Sequence, residues 1–598
     1  MREPSVDLPA RLKLADHTVT KRVIILTLMG LLIGTGGAFG AIVLLKLIAL
    51  MTNLFWYQQF SFAENPMPGN ASTLHILTAP VIGSLIIGVM SRFGSDKIRG
   101  HGIPEAIEAI LYGESRMSPK VAVLKPLSSA ISIGSGGPFG AEGPIIMTGG
   151  AIGSLFAQLF HLSAAERKTL LVAGAAAGMT AIFNAPVAAV LLALEVLLFE
   201  WKPRSFIPVV AAVIVSWCWR TTLLGHGAIF PFAAVEQLSS IQIVCAVLIG
   251  LATGIVSVLL SKSLYRLEEW FHTLPVHWMW WPALGSVFVG IGGIIEPRIL
   301  GAGYISILNL LTGSLAINIV CSLLLVKSIV WLISLGSGTS GGVVAPLLII
   351  GGAIGGLLAW LLPGSNGMMV MAGMAGILSG AMRAPLTGTI FAVEVTGHYQ
   401  LLPLSLSAAV ASFAVSVLMM PRSIFTERLA RRGHHIVQEY TTDALETTKA
   451  RQIMSTSPAT LNASLTLNEV VDLMSDLHAH HHYPVVDDNG LFLSVVSRKN
   501  MIHWQMQNKT PDSRLRELVE DAERFSACPD TLCSQIADYI FNQEVGIVVV
   551  TEPQSGKVVG VITRHDIFRV RYLAQQAEHS KARYLRFKIK DDKNRQAN

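Results

Sequence analysis

The chain has 598 residues, of which 52% are hydrophobic and only 14% are charged, with a formal net charge of +6. A soluble protein of this size carries about 25% charged residues, so the composition excludes an ordinary soluble enzyme and indicates a membrane protein. Basic residues beside the hydrophobic region and in the last twenty residues account for the positive excess, and we predict no nucleic-acid partner.

Hydrophobic runs dominate the chain after a polar segment at 1–20, which we interpret as cytosolic and which lacks the pattern of a cleavable signal peptide. We predict a membrane domain at 21–433, where several runs are long enough to cross a bilayer as helices, namely 23–50, 74–90, 241–260 and 402–420. Other runs are broken by Gly and Pro, which is tolerated at membrane depth where a segment lines an enclosed path. Basic residues flank both ends of the domain, so the positive-inside rule places both termini in the cytoplasm. This pattern predicts a multi-pass integral protein of the cell inner (plasma) membrane.

Two segments of the membrane domain repeat each other without gaps. Residues 134–155 read GSGGPFGAEGPIIMTGGAIGSL, and residues 336–357 read GSGTSGGVVAPLLIIGGAIGGL. A second pair follows in the same order, FNAPVAAVLLALEV at 183–196 and MRAPLTGTIFAVEV at 382–395. Such repeats are typical of transporters built from two related halves with the substrate site between them. Each segment of this second pair carries one Glu, Glu195 in the first copy and Glu394 in the second. We predict that this symmetric pair has a structural role.

The first pair of segments indicates an anion site. Each is a Gly-rich loop with a Pro that leads into an apolar helix, and Gly lets the backbone approach a ligand closely. A helix N-terminus offers free N–H groups and a partial positive charge, so two such termini would favour an anion over a cation. Glu142 stands in the first copy where Val344 stands in the second. Because intramembrane carboxylates are functional candidates, we interpret Glu142 as a competitor of the passing anion, with capping of its own helix as the alternative.

Four motifs stand in order along the membrane domain: GHGIPE at 100–105, GAEGP at 140–144, GVVAP at 342–346 and SIFTERLARRG at 423–433. The first three resemble the GSGIPE, GREGP and GIFAP motifs of the CLC family of chloride channels and chloride/proton antiporters, and the fourth resembles the last membrane helix of that family. The resemblance implies a helical fold of two inverted halves with broken helices. It also implies chloride transport by a homodimer with a separate anion path in each subunit.

The resemblance assigns a gating role to Glu142. It assigns an electrostatic role beside the anion path to Lys125, seventeen residues earlier. It also places the anion between Gly-rich loops, the starts of the helices that follow them and the last membrane helix. The residues that it assigns to this anion site are His101, Gly102, Gly140, Ala141, Gly143, Val343, Val344 and Phe425. No residue is assigned a catalytic role or a metal.

Several of these positions depart from the family pattern. His101 and Phe425 stand where chloride-transporting members carry a serine and a tyrosine, and Val344 replaces a phenylalanine. The backbone amides remain, so we expect the site to bind an anion, while these residues leave its preference among small anions undecided. His101 either donates an N–H to the anion or only fills space in the loop. Ala141 replaces an arginine, which removes a positive charge beside Glu142. Val196 stands where antiporters carry a proton-transfer glutamate, which weakens the case for tight proton coupling and leaves antiport as the alternative.

The last third of the chain contains a second duplication after a predicted linker at 434–447. YPVVDD (483–488) precedes LSVVSRKNM (493–501), and GIVVVT (546–551) precedes GVITRHDIF (560–568). Both copies resemble CBS domains, which implies a cytosolic α+β pair at 448–508 and 509–575, followed by a basic tail at 576–598.

The CBS resemblance suggests an adenine nucleotide as ligand. Thr563 with Asp566 matches the pair that holds the ribose in that family, and Ser497 matches with Asn500 in place of the carboxylate. A hydroxyl and a carboxylate at this spacing can bind sugar hydroxyls, while dimerisation without a ligand is the alternative. No other cofactor is required. The histidines at 478–482 are interpreted as a surface turn rather than a metal site.

Other function classes fit the sequence less well. A CBS-regulated divalent cation channel would group membrane carboxylates around its ion, whereas this domain has Gly-rich helix starts and few carboxylates. A nucleotide sensor with an inert membrane anchor has no use for duplicated, broken helices. An enzyme is the least supported class, because the sequence contains no nucleophile–base pair, metal motif or P-loop. The sequence therefore predicts transport of chloride, or a similar small anion, past Glu142.

Overall fold

The computed structural model describes residues 21–69, 71–233, 238–433, 443–475, 480–507, 509–519, 526–543 and 545–579. The predicted N-terminal segment 1–20, most of the predicted linker (434–442) and most of the predicted basic tail (580–598) lie outside the described residues. The described residues form two compact units, one within His17–Gln438 and one within Glu439–Asn598. We call them the membrane unit and the CBS unit.

Eight α-helices form the first half of the membrane unit among the described residues. Four of them, α3, α4, α7 and α8, carry Pro at the first or second position, where its missing N–H costs no helical hydrogen bond. The helices are α1 (Arg22–Thr52), α2 (Thr73–Phe93), α3 (Ile103–Leu111), α4 (Pro119–Gly134), α5 (Glu142–Gln158), α6 (Ala164–Phe183), α7 (Pro186–Leu192) and α8 (Pro203–Leu223).

The second half repeats this order of helices and adds a short one at its end. Its described helices are α9 (Ser240–Thr273), α10 (Trp281–Ile295), α11 (Tyr304–Thr312), α12 (Ile317–Gly336), α13 (Val344–Leu358), α14 (Asn366–Met382), α15 (Pro385–Thr396), α16 (Leu402–Met419) and α17 (Thr426–Arg431). The repeated segments of the sequence thus begin α5 and α13 and contain α7 and α15.

Seven helices of the described chain are long and apolar enough to cross a membrane: Arg22–Tyr57, Thr73–Phe93, Pro203–Leu223, Ser240–Thr273, Trp278–Ile295, Ile317–Gly336 and Tyr399–Met419. Shorter apolar helices lie between them, at Pro186–Leu198, Val344–Leu358 and Asn366–Met382. A full span needs about 20 residues, so these shorter helices are the interrupted segments that the Gly and Pro pattern predicted.

Equivalent parts of the two halves meet each other. Helix α1 packs on α6 and α8, and its counterpart α9 packs in the same way on α14 and α16. The hydroxyls of Ser84 and Ser286, at equivalent places on α2 and α10, are hydrogen-bonded. Gly140 and Gly342 exchange both backbone hydrogen bonds, at N···O distances of 3.2 and 2.8 Å. Contacts between equivalent residues mark a two-fold relation, as expected of the predicted inverted halves.

Glu195 and Glu394 fasten the two halves to each other. The Glu195 carboxylate accepts hydrogen bonds from the Thr387 N–H at 2.8 Å and the Thr387 hydroxyl at 2.6 Å, in the first turn of α15. Glu394 accepts from the N–H groups of Val187 (3.0 Å) and Ala188 (2.8 Å), in the first turn of α7. Each carboxylate therefore caps a helix of the other half, which agrees with the structural role predicted for the pair.

Short strands and helices form the CBS unit. Its described elements are α18 (Ala444–Thr447), α19 (Ala450–Ile453), β1 (Ser455–Thr456), β2 (Leu461–Asn462), α20 (Leu467–Ser475), β3 (His482–Val486), β4 (Phe492–Ser497), α21 (Arg498–Met506), α22 (Leu515–Leu518), β5 (Ser526–Ala527), α23 (Cys533–Asn542), β6 (Ile547–Thr551), β7 (Val558–Thr563) and α24 (Arg564–His579).

The strands form two sheets, in the orders β2-β3-β4 and β1-β7-β6-β5. Strand β1 comes from the first sequence copy but pairs antiparallel with β7 of the second, with Ser455 opposite Val561. Ala450, just before β1, belongs to the apolar core beneath β6 and β7. The packing of the two modules therefore crosses the sequence boundary between the copies.

Candidate anion site

Glu142 is the first residue of α5 and lies inside the membrane unit. Its side chain is 0% exposed, and neither carboxylate oxygen has a hydrogen-bond partner among the described residues. The carboxylate lies close to its own backbone N–H and to that of Ala345, the second residue of α13. A buried anionic group thus stands where the N-termini of α5 and α13 meet, and both helices favour negative charge there.

Three backbone segments converge beneath Glu142. A Cβ at Gly143 would collide with the His101 carbonyl oxygen and would lie 3.3 Å from the Gly342 Cα. Gly102 is the N-cap of α3, has a φ of +88°, and faces the Gly143 carbonyl. Only glycine allows backbones to approach so closely, so the loop before α3, the start of α5 and the Gly-rich loop of the second half meet at one place.

The other predicted anion ligands lie around the same place. Ala141 is the N-cap of α5, Val343 is the N-cap of α13, and Val344 begins α13. N–H groups of a first helical turn have no acceptor within their own helix, and Pro144 and Pro346 lack an N–H altogether. The structure therefore leaves N–H donors of Glu142, Gly143, Val344 and Ala345 free of helical acceptors around one buried point.

The side chains of His101, before α3, and Phe425, before α17, lie next to the meeting point of α5 and α13. Their ring centroids are 5.4 Å apart, both side chains are buried, and the His101 Nδ1 has no hydrogen-bond partner among the described residues. A cavity of about 20 Å³ opens beside His101 and is lined further by Arg99, Tyr265, Glu268 and Arg428. A cavity of this size has room for about one water molecule.

Lys125 supports the loop that precedes α3. Its side chain is fully buried, and its Nζ donates to the carbonyl oxygens of Ile98 (2.8 Å) and Gly100 (2.7 Å) and to the Ser340 hydroxyl (3.1 Å). The lysine therefore ties α4 to the first loop and to the loop before α13, and it brings a positive charge close to the meeting point.

Lys327 repeats this arrangement in the second half and was missed in the sequence analysis. It stands seventeen residues before Val344, as Lys125 stands before Glu142, so the repeat carried the signal. Its side chain is fully buried, and its Nζ donates to the carbonyl oxygens of Ile299 (2.7 Å) and Gly301 (3.1 Å). It lies within electrostatic range of Glu142.

Tyr304 is a second group that the sequence analysis missed. It begins α11, and its ring packs near Phe183 and Phe230, at centroid distances of 6.4 and 5.9 Å. Its hydroxyl is buried and has no hydrogen-bond partner among the described residues. The hydroxyl lies near the Ala141 N–H and within electrostatic range of Glu142.

The predicted nucleotide ligands lie in the CBS unit. The Thr563 N–H and hydroxyl donate to one Asp566 carboxylate oxygen at 2.8 and 2.7 Å, and Ser497 forms the equivalent turn with Asn500. Ser497 is opposite His482 in the β3–β4 pair, and the His482 ring packs against Gly546, at the start of β6. Since Thr563 is opposite Ile547 in β6, the two turns lie at neighbouring ends of the two sheets.

Comparison with known proteins decides the family. Residues 82–417 match the family described as voltage gated chloride channel, and residues 450–507 and 519–572 match the CBS domain. The chain belongs to the CLC family. It is a CLC protein with a C-terminal pair of CBS domains, as the motifs predicted.

Curated relatives cover the membrane unit. The chain is 32% identical over 378 residues to the voltage-gated ClC-type chloride channel ClcB of Shigella flexneri, covering 61% of this chain and 89% of the relative. It is 30% identical over 427 residues to ClcB of Escherichia coli O81 (strain ED1a), covering 69% of this chain and all of that protein. The predicted CLC-type chloride transport is confirmed by this membership.

Solved structures share the fold. A slow cyanobacterial Cl⁻/H⁺ antiporter superposes with a TM-score of 0.61 at 21% identity, over 69% of this chain and 99% of its own. A eukaryotic CLC transporter superposes with a TM-score of 0.57 at 20% identity, over 91% of this chain and 98% of its own. The helical fold of two halves followed by a CBS pair is therefore confirmed, and the family is one of transporters and channels.

Proposed function

We propose that the protein passes chloride, or a similar small anion, through the point occupied by the Glu142 carboxylate, with Glu142 as the gate. The observation that carries this proposal is a fully buried carboxylate without a hydrogen-bond partner among the described residues, at the meeting of α5 and α13. A carboxylate and a chloride ion carry the same charge and accept the same N–H groups. The side chain therefore competes with the anion, and the path opens when the anion or a proton displaces it.

The charges around the gate favour an anion. Lys125 and Lys327 are fully buried, and both donate to backbone carbonyl oxygens. A carbonyl oxygen satisfies an ammonium hydrogen bond without cancelling its charge. In a poorly solvated interior this positive charge attracts an anion more strongly than it would in water.

Chloride/proton antiport is the second candidate. It requires a proton route from Glu142 to the other side of the membrane, and Val196, buried in the π-helical turn Ala193–Leu198, cannot carry a proton. The neighbouring Glu195 is engaged as the cap of α15. These two observations favour anion passage with weak or no proton coupling.

Efflux from liposomes that hold the purified protein tests both candidates, with chloride and proton fluxes recorded together. Uncoupled passage predicts chloride flux without proton movement against its gradient, whereas antiport predicts a fixed ratio of the two. Glu142→Gln removes the gating charge, so its chloride flux should lose its dependence on pH. Glu64→Gln, at an exposed site, is the matched control. A Glu142→Gln variant with the flux and pH profile of the parent would refute the gate.

The anion preference is proposed to depend on backbone amides rather than on the His101 and Phe425 side chains. The His101 ring lies against the Phe425 ring. Its Nδ1 has no hydrogen-bond partner among the described residues. A His101→Ser/Phe425→Tyr double variant supplies both hydroxyls of the family pattern. We expect it to bind chloride more tightly relative to nitrate, as measured by competition in the efflux assay.

The CBS unit is proposed to bind an adenine nucleotide at Thr563 and Asp566. Asp566 uses one carboxylate oxygen, Oδ2, for its turn with Thr563, which leaves Oδ1 to accept a ribose hydroxyl. Calorimetric titration of the full chain with ATP and AMP tests this. Asp566→Asn keeps the turn and removes the charge, so it should weaken binding while leaving the fold unchanged.

We further propose a homodimer in the bacterial inner membrane, with both termini in the cytoplasm. The family membership and the bacterial ClcB relatives support the membrane assignment, and the basic flanks of the membrane domain support the orientation. Native mass spectrometry from detergent measures the oligomeric state. Labelling of introduced terminal cysteines in intact cells measures the orientation.

A further inference from the structure

One face of α9 is an uninterrupted apolar stripe. Six side chains at helical spacing are 40–62% exposed in the membrane unit: Ile241, Val244, Leu248, Leu251, Ile255 and Leu259. At 1.5 Å per residue the stripe is about 27 Å long, which is close to the hydrocarbon thickness of a bilayer. This face of α9 therefore has the length and the polarity of a surface that contacts lipid acyl chains.

Two cations continue the stripe at the next two helical positions. Lys262 and Arg266 follow Leu259 on the same face, and both are exposed. Neither makes an ion pair or a hydrogen bond with any residue that the structure describes. Like charges four residues apart on a helix repel each other, so the pair is unfavourable without an anionic partner. Their position just beyond the apolar stripe is the level of the lipid headgroups.

A cavity of about 310 Å³ opens at the same place. Lys262, Arg266, Arg422 and Arg431 line it together with the carboxylates of Glu269 and Glu427. Arg431 lies 2.6 Å from the Glu269 carboxylate and 3.1 Å from that of Glu427, so it is already neutralised. Arg422 has only a 3.5 Å contact with Glu427. Four cations and two carboxylates leave the cavity with an excess of two positive charges.

We propose that this cavity binds the phosphate group of an anionic phospholipid, with the acyl chains along the apolar stripe of α9. Phosphate accepts hydrogen bonds from both lysine and arginine, and two uncompensated charges favour a headgroup with a net negative charge. Leu418 and Met419, exposed at the end of α16 near Met420 and Pro421 of the cavity wall, provide a second apolar border. A free phosphate ion would use the cations but not these apolar surfaces.

Native mass spectrometry of the full chain, released from detergent, tests the site. Phosphatidylglycerol and phosphatidylcholine with the same acyl chains are the probes, and inorganic phosphate is the third. We expect phosphatidylglycerol to bind in preference to phosphatidylcholine. Lys262→Gln/Arg266→Gln should bind phosphatidylglycerol roughly 30-fold more weakly, since each basic residue near an anionic lipid contributes about a fivefold factor.

Lys97→Gln/Lys120→Gln is the matched control, because it removes the same two charges at other exposed positions of the membrane unit. It should bind phosphatidylglycerol as the parent does. Chloride efflux in neutral liposomes, unchanged in both variants, verifies that they are folded. Equal loss in both double variants, equal binding of the two lipids, or displacement of bound phosphatidylglycerol by inorganic phosphate would each overturn the proposal.

Discussion

Tyr304 carries a hydroxyl within electrostatic range of Glu142, at a position where the first half of the repeat carries Ile103 at the start of α3. The buried phenol oxygen and both carboxylate oxygens lack hydrogen-bond partners among the described residues. An unpaired buried polar group costs about 1–3 kcal/mol, so a movement that gives the Tyr304 hydroxyl an acceptor would lower the free energy. We infer that Tyr304 donates to the anion that displaces the Glu142 carboxylate. It would thereby supply a hydroxyl that His101 and Phe425 lack.

Tyr304→Phe removes this hydroxyl and keeps the ring between Phe183 and Phe230. Since a hydrogen bond to a charged group contributes about 1.5–3 kcal/mol, chloride affinity should fall at least about tenfold. The half-saturating chloride concentration of efflux measures the effect. Tyr57→Phe is the control, because the Tyr57 hydroxyl donates to the Pro66 carbonyl oxygen at 2.6 Å, away from Glu142. Parent-like saturation of Tyr304→Phe would exclude the role.

Sequence reasoning reached the residues of the site that carry a motif. Glu142 stands in the GAEGP motif and Lys125 stands seventeen residues before it, and Lys327 could have been found from the same spacing in the second copy. Tyr304 could not, because the repeat carries an apolar residue at its counterpart. Its hydroxyl comes within electrostatic range of Glu142 only through tertiary packing, such as that of α11 against α13, which no local pattern encodes.

Each half of the membrane unit caps a helix of the other half. Helices α7 and α15 begin without a side-chain cap from their own N-cap residues, Ala185 and Ala384. Their first N–H groups donate instead to Glu394 and Glu195 of the opposite half. The sequence predicted the pair as structural from its symmetry. It could not predict that each carboxylate caps the other copy's helix, since such a contact depends on the two-fold arrangement.

Glu394→Ala should destabilise the membrane unit by about 1–2 kcal/mol, because it leaves two first-turn N–H groups of α7 without an acceptor. Thermal unfolding in detergent measures the loss. Glu64→Ala, at an exposed site, should leave the unfolding temperature unchanged. The same unfolding temperature in Glu394→Ala and the parent would contradict the capping role.

His482 makes the contact between the two sheets of the CBS unit sensitive to pH. Burial lowers the pKa of His482, and the positive charges of His481 and Arg564 lower it further. The unfolded chain, with a pKa near 6.5, therefore binds this proton more tightly than the folded chain does. The contribution to stability is complete above that value and is lost as the pH falls through the folded pKa.

The quantity compared is the rate of amide hydrogen exchange in β3 and β6 of the parent, divided by the rate in a His482→Gln variant. We expect this ratio to be higher near pH 5 than near pH 8. Hydrogen–deuterium exchange of peptides from both strands measures this. Comparing variant and parent at each pH cancels the intrinsic effect of pH on exchange. His503→Gln is the control, because His503 is exposed on α21. A constant ratio at both pH values would contradict the prediction.

The broken helices and the duplicated strands were predictable because Gly, Pro and alternating apolar residues act locally. The pairing of β1 with β7 was not. Two residues, Ser455 and Thr456, form this strand, and so short a segment carries no periodicity that could assign it to a sheet. Its partner is more than a hundred positions away, and only tertiary packing selects it.

At the scale of the whole molecule, the membrane unit and the CBS unit have separate apolar cores. The ClcB relative of Escherichia coli O81 aligns over its full length with 69% of this chain. That relative therefore matches about two thirds of this chain. The two-unit organisation followed from the hydrophobic runs of 21–433 and from the duplicated motifs that come after them.

A chain that ends after Gly433 should insert, fold and pass chloride at a rate similar to that of the full chain. The expectation follows from the separate apolar cores of the two units. Chloride efflux per reconstituted protein measures the rate, and nucleotide should affect the full chain alone. A truncated protein that inserts correctly but passes no chloride would show that the CBS unit is required for transport.

The paired backbone hydrogen bonds of Gly140 and Gly342 have a consequence for biosynthesis. A ribosome adds about 5–20 residues per second, so the second glycine is made roughly 10–40 seconds after the first. During that interval Glu142 belongs to a first half whose Gly-rich loop has no partner. The route for anions is completed only when the late half docks. A partly made chain in the membrane therefore holds half of the site and cannot dissipate the anion gradient of the cell.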